Sequence, residues 1–190
     1  MIDPATDAAF MRRALDLAWR GWGRVHPNPL VGAVVVRDGE VVGEGYHAEY
    51  GGPHAEVAAL AAAGERARGA TLYVTLEPCA HQGKTPPCTL AIEAAGIRRV
   101  VYGAEDPNPE ARGGAERLRS QGVEVTGGVE REAVRAQNAA FFHAIERGDA
   151  YVALKLALSL DARLADAPGR STVVTGPAAR AEVHRLRAGY

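Results

Sequence analysis

His54-Ala55-Glu56, Pro78-Cys79 and Pro87-Cys88 are the stretches that decide how this chain is to be read, because they hold both of its cysteines and set beside them a histidine and a spare carboxylate. Zinc accepts neutral imidazole and thiolate in tetrahedral geometry, and catalytic centres use three protein ligands so that a fourth position can hold water. His54, Cys79 and Cys88 are therefore the expected ligands, Zn2+ the expected cofactor, and Glu56 the catalytic group left free to move a proton at that water. Residues two apart do not share a helix face, so His54 and Glu56 can serve one point only from the first turn of a helix, with Pro53 setting the entry of the chain. Pro78 places Cys79 at a strand end, and Cys88 opens the following helix, where the positive end of the dipole favours thiolate. A His-Ala-Glu triplet or a Pro-Cys pair is common alone; their joint occurrence about 25 residues apart, with a strand between, points to a metal centre. The competing arrangement is a structural zinc closed by His81 or His47 as fourth ligand, which would leave Glu56 without a purpose.

Composition narrows the field further. The chain has 190 residues, 47% of them apolar, enough for one well-buried domain and a small appendage. A formal charge of -1 and only 6% aromatic residues supply neither the basic field nor the stacking platform of a generic nucleic-acid binder. No stretch approaches membrane-spanning length, and the first ten residues contain Asp3 and Asp7 rather than a basic and then apolar leader. The expected partner is a small soluble molecule, with no nucleic acid and no membrane, in a homo-oligomer located in the cytoplasm, where two thiols stay reduced. Arginine outnumbers lysine twenty to two, which draws attention to Lys84, between the cysteines, and to Lys155.

The periodicity predicts a helix from about Asp7 to Gly21, capped by Thr6 or Asp7, and a hairpin of strands 31–36 and 41–46 about Asp38-Gly39. A helix from His54 to about Ala63, a strand at 72–76, a helix from Cys88 to about Ala95 and a strand at 99–102 follow. A helix at 115–120, a strand at 123–126 and one long helix at 130–146 complete an α/β three-layer sandwich with a central mixed sheet, residues 1–148. Residues 149–190 form a separate short segment, with strands at 151–158 and 172–175, a turn through 167–169 and a helix from Pro177 to Ala188.

Zinc deaminases use such a His, Glu and two Cys, usually with the cysteines two residues apart; here eight residues lie between them. That insertion, Ala80-His-Gln-Gly-Lys-Thr-Pro-Pro87, resembles the deaminase domain of the bifunctional riboflavin-biosynthesis deaminase/reductase, as do Pro27-Asn-Pro-Leu-Val-Gly32, Asp106-Pro-Asn-Pro109 and, for the opening reductase strand, Lys155 to Asp161. The resemblance spans nearly the whole chain and implies a cytidine-deaminase-like fold followed by a reductase-like fragment. The implied activity is hydrolytic deamination of the diaminopyrimidinone ribosylamino phosphate of riboflavin biosynthesis, with no organic cofactor. It further implies that Asn28, His47, Lys84, Asp106 and Asn108 face the substrate's ring, sugar and phosphate. Composition alone would make Asp106-Pro-Asn-Pro109 a turn. The chain departs from the family pattern at Pro109–Ala115, at Ala162 and at Val173, and Tyr190 falls before most of a nicotinamide-binding fold, so no reductase activity is expected. A deaminase of another nucleobase, nucleoside or RNA, and a noncatalytic zinc-stabilised module, are the alternatives.

Overall fold

Asp38 and Gly39, with φ of 52° and 82°, turn the chain between β1 (Gly32–Arg37) and β2 (Glu40–Tyr46), which pair antiparallel with a bulge between Val35 and Val36. Positive φ at both central residues gives the tight turn whose twist matches that of its strands. In the computed structural model, which describes residues 4–83, 85–167, 169 and 172–189, β1 also pairs antiparallel with β3 (Thr71–Leu76). β3 then runs parallel to β4 (Arg99–Ala104), and β4 parallel to β5 (Glu124–Gly127). The strand order β2-β1-β3-β4-β5 is the expected mixed sheet. The parallel half needs crossovers, and α3 (Cys88–Ala94) and α4 (Gly114–Ser120) supply them.

β3 and β4 are buried along their whole length, as strands covered on both faces must be. On one face Met11, Ala14 and Leu17 of α1 (Pro4–Ala18) pack on Val34, Val36, Tyr73 and Val101. On the other, Ala55, Ala59 and Ala63 of α2 (Ala55–Ala63) join Ala33, Val35, Leu72 and Val74. The distance from α2 to the sheet is set by two glycines of β2. A Cβ on Gly45 would lie 2.4 Å from the amide nitrogen of Ala59 and 2.5 Å from the carbonyl oxygen of Ala55, and one on Gly43 would lie 2.4 Å from the Ala59 carbonyl. The helix backbone thus rests directly on the strand backbone.

Three expectations need correction. The first helix begins at Pro4, and a single 3-10 turn, Trp19–Gly21, follows its end. Asp7 is not its cap: the carboxylate is buried and accepts two hydrogen bonds from the Arg99 guanidinium, at 2.9 and 2.8 Å, and one from the Tyr73 hydroxyl at 2.8 Å. These donors hold Asp7 below the usual carboxylate range. Breaking such a buried pair from one side leaves an uncompensated charge and costs about 3–5 kcal/mol. Second, the long helix is two, α5 (Arg131–Gln137) and α6 (Ala139–Arg147), separated at Asn138, whose φ of −109° and ψ of 28° leave the helical region. Third, 151–158 and 172–175 are not strands: among the described residues they pair with nothing in a sheet, and Val152, Leu154 and Leu160 stand more than four-fifths exposed. An extended apolar segment becomes a strand only when a ladder and a covering layer exist. The expected turn, at 167–169, falls partly outside the described residues. α7 (Pro177–Arg187) forms as expected.

Gly45→Ala should force α2 off the sheet and destabilise the protein by about 1–3 kcal/mol. The urea midpoint will fall, and zinc retention with it; an unchanged midpoint would mean that the helix shifts without cost.

Candidate metal centre and active site

His54 is the N-cap residue of α2, with extended backbone (φ −70°, ψ 158°) and no side-chain bond to the helix amides, so its imidazole is free to turn towards the end of β3. Cys79 lies three residues beyond that strand, and Cys88 is the first residue of α3. The three converge. Nδ1 of His54 lies 3.1 Å from Sγ of Cys88 and 3.6 Å from Sγ of Cys79, and all ligand atoms lie within 4.8 Å of one another. Tetrahedral zinc with such ligands separates them by roughly 3.5–3.8 Å, so the donor set and its spacing fit that ion. Among the described residues neither His47 nor His81 joins the cluster.

The backbone N–H of Cys88 donates to Sγ of Cys79 at 3.3 Å, as an amide at a helix start can. The two thiols lie close enough for a hydrogen bond between them. The hydrogen bond from Cys88 pulls the Cys79 thiol down to about 4, with His54 assisting, while the same bond and burial push Cys88 up. His54 is held above its ordinary value, chiefly by its bond to Cys79. A divalent cation would take the place of the proton between the sulfurs and let both thiols ionise. Glu56, in the first turn of α2 and only 4% exposed, is pushed up to about 6, mainly by burial.

These groups floor a cavity of about 250 Å³, whose wall includes Asn28, His47, Asp106 and Asn108. Nδ1 of His47 lies 3.0 Å from the Pro53 carbonyl oxygen and Nε2 lies 3.1 Å from Nδ2 of Asn28. A carbonyl can only accept, so Nδ1 carries the proton, Nε2 accepts from the Asn28 amide, and the Asn28 oxygen is left for the cavity. Burial lowers the His47 pKa, keeping this ring neutral. Asp106 accepts the Asn108 N–H at 2.9 Å, and Asn108 accepts the Glu110 N–H at 3.1 Å. The loop is thus a turn and also lines the cavity; burial raises the Asp106 pKa. Lys84 lies outside the described residues, although Gly83 and Thr85 on either side of it reach the cavity.

Wall residues that sequence reading missed include Tyr50, Glu77, Thr85 and Phe141. Thr85 Oγ1 lies 3.3 Å from Nε2 of His54. Glu77 accepts the Ala115 N–H at 3.0 Å, tying α4 to the metal loop, and Gly114 allows that approach, since a Cβ there would lie 1.7 Å from the Pro78 carbonyl oxygen. A glutamate directly before Pro78-Cys79 was a signal available in the sequence. Phe141, from a helix more than fifty residues downstream, gave none.

Residues 4–104 match the cytidine and deoxycytidylate deaminase zinc-binding region. The chain belongs to that family. Residues 150–190 match the RibD C-terminal domain. The chain is 52% identical over 183 residues to the riboflavin biosynthesis protein RibD of Escherichia coli, covering 96% of this chain and 50% of that protein. It is similar to the structure of a diaminohydroxyphosphoribosylaminopyrimidine deaminase/5-amino-6-(5-phosphoribosylamino)uracil reductase from Thermotoga maritima, with a TM-score of 0.91 and 47% identity over 98% of this chain and 54% of that one. An Acinetobacter baumannii RibD gives a TM-score of 0.89 at 47% identity, covering 98% and 52%. The chain therefore spans about half the length of the curated relatives it matches. The zinc-binding region that matches includes the His54, Cys79 and Cys88 cluster, whose grouping could hold such an ion. No helix among the described residues is long and apolar enough to cross a membrane.

In metal-free protein, iodoacetamide should alkylate Cys79, which lines the cavity, ahead of the fully buried Cys88. A lowered thiol pKa means that thiolate persists as pH falls, so the reaction should continue at pH of about 6, where an ordinary thiol with pKa ≈ 8.5 is almost wholly protonated. Zinc should protect both. Equal labelling of the cysteines, or reactivity confined to pH above about 8, would contradict this picture.

Proposed function

We propose that the chain deaminates the diaminopyrimidinone ribosylamino 5'-phosphate of riboflavin biosynthesis by hydrolysis, releasing ammonia. The observation that carries this reading is a buried carboxylate, Glu56, beside but outside a three-ligand His/Cys/Cys cluster, at the floor of a cavity that could admit a heterocycle. Similarity to RibD proteins supports the substrate class.

When bound, zinc supplies Lewis acidity that makes a water a competent nucleophile at neutral pH. His54, Cys79 and Cys88 hold the ion, and the two thiolates balance its charge. Glu56 accepts a proton from the attacking water as the new C–O bond forms at the amine-bearing ring carbon, and it returns the proton to the exocyclic nitrogen. The C–N bond then breaks and ammonia leaves, while the remaining hydroxyl proton passes to the adjacent ring nitrogen, so that a ring carbonyl and a ring N–H result. Its buried place in the first turn of α2, beside the ligand cluster, suits one carboxylate to both transfers. Asn28 offers its oxygen to a ring N–H or amine, His47 holds Asn28 in that orientation, and Asp106, Asn108 and Lys84 serve the sugar and phosphate. A nucleic-acid substrate is disfavoured by the net charge of -1. Two free cysteines suit a reducing cytoplasm, and the exposed Val152, Leu154 and Leu160 favour an assembled state, a homo-oligomer, over an isolated chain.

Zinc-loaded protein given the phosphorylated diaminopyrimidine should release ammonia. Glu56→Gln, which keeps the shape and removes the proton carrier, should lower kcat by roughly two to four powers of ten with zinc content unchanged. Near-normal turnover in that variant would remove Glu56 from the mechanism.

A further inference from the structure

Asn138 separates α5 from α6, and its side chain is buried. Its Oδ1 accepts the Leu30 N–H at 2.7 Å, and its Nδ2 donates to the Leu30 carbonyl at 3.0 Å and towards the Val134 carbonyl at 3.4 Å. The carboxamide therefore does for Leu30 what a neighbouring strand would do: it satisfies the donor and the acceptor of one residue together. Leu30 lies two residues beyond Asn28, and the contact joins positions 108 apart in sequence. Gln137 anchors the same helix break to α1, donating to the Leu15 carbonyl at 2.9 Å.

Leu30 packs its side chain with Ala18, Val25 and Trp22, while the backbone of the loop is held by hydrogen bonds. One side of it faces the metal cavity, and the other borders a second cavity of about 230 Å³ whose wall includes Trp19, Trp22 and Ile145. Beside its side-chain packing, Leu30 carries a reciprocal pair of directional bonds that fix the orientation of its backbone. The second anchor is the contact of Asn28 with His47. Moving Leu30 would shift the Asn28 amide by a similar amount, and displacements of about 1 Å at a positioning group are costly to catalysis.

We infer that Asn138 is a positioning residue that fixes the Pro27–Leu30 loop, and through it the Asn28 oxygen, for substrate binding. The inference rests on reading Asn28 as a substrate-facing residue. The interruption between α5 and α6 thereby has a use, since it directs the buried Asn138 side chain onto the loop.

The test uses Asn138→Leu, which keeps the branched shape but removes both bonds to Leu30, with Asn138→Ala as a second variant should the bulkier leucine not fold. Each should raise KM about tenfold, the effect of about 1.4 kcal/mol expected for losing such bonds, while kcat stays within about threefold and zinc remains at one per chain. Amide exchange at Leu30 should accelerate relative to the core strands. In an Asn28→Ala background the Asn138 change should leave KM unaltered, because the two act on one contact. Additive effects in that cycle, a loss confined to kcat, or unchanged exchange at Leu30 would overturn the inference. Should the unaltered protein deaminate nothing, the proposed function fails, and exchange at Leu30 alone decides whether Asn138 holds the loop.

Discussion

The backbone contact between α2 and the glycines of β2 is the constraint on which the rest of the molecule depends. With Gly43 and Gly45 carrying no side chains, Ala55 and Ala59 sit against the strand itself. The start of the helix is thereby placed beside the carboxyl end of β3. His54 at the N-cap and Glu56 in the first turn inherit that position, and the two cysteines come to it from the loop after β3. Ligands in open α/β sheets bind at the carboxyl ends of parallel strands, and here the loops after β3 and β4 supply Cys79, Asp106 and Asn108 together. A substitution that lifts α2 would separate His54 from both sulfurs without touching any of the three.

Electrostatically the site concentrates acidic groups around one raised imidazole. Cys79, Cys88, Glu56, Glu77 and Asp106 are all buried within or beside the cavity; burial raises Glu56 and Asp106, and the bond to Cys79, with burial, raises Cys88. Against them stands His54, raised by its thiol partner, while His47 is kept neutral. A concentration of acidic groups this deep is costly unless a cation offsets it, and a dication bound by two thiolates and an imidazole is the chemistry the residues suit. The opposite end of the sheet has its own solution, a stoichiometric buried pair of Asp7 with Arg99, which needs no ligand.

Much of the fold was legible because its signals are local. Asp38-Gly39 announces its turn, the alternation of Val34 and Val36 with Ala33 and Val35 divides β1 between two layers, and the His/Glu and Cys spacing gives the centre. What escaped was long-range. Asp7 looks like a cap because capping chemistry and ion pairing use the same carboxylate, and only the fold brings Arg99 to it. Asn138 sits in a run with helical periodicity, and its role depends on Leu30, which no local pattern can pair with it. The apolar alternation of 151–158 has the sequence of a strand, yet pairing needs a partner, and none lies among the described residues. Asp106-Pro-Asn-Pro109 was ambiguous between turn and site because it is a turn that also lines the cavity.

An open three-ligand centre is the central claim, and X-ray absorption at the zinc edge of the loaded protein tests it most directly. The account predicts two sulfur scatterers at about 2.3 Å, two nitrogen or oxygen scatterers at about 2.0 Å, and the outer-shell signature of a single imidazole. The signature of a second imidazole, from His47 or His81, would mean a closed structural site and would contradict the account.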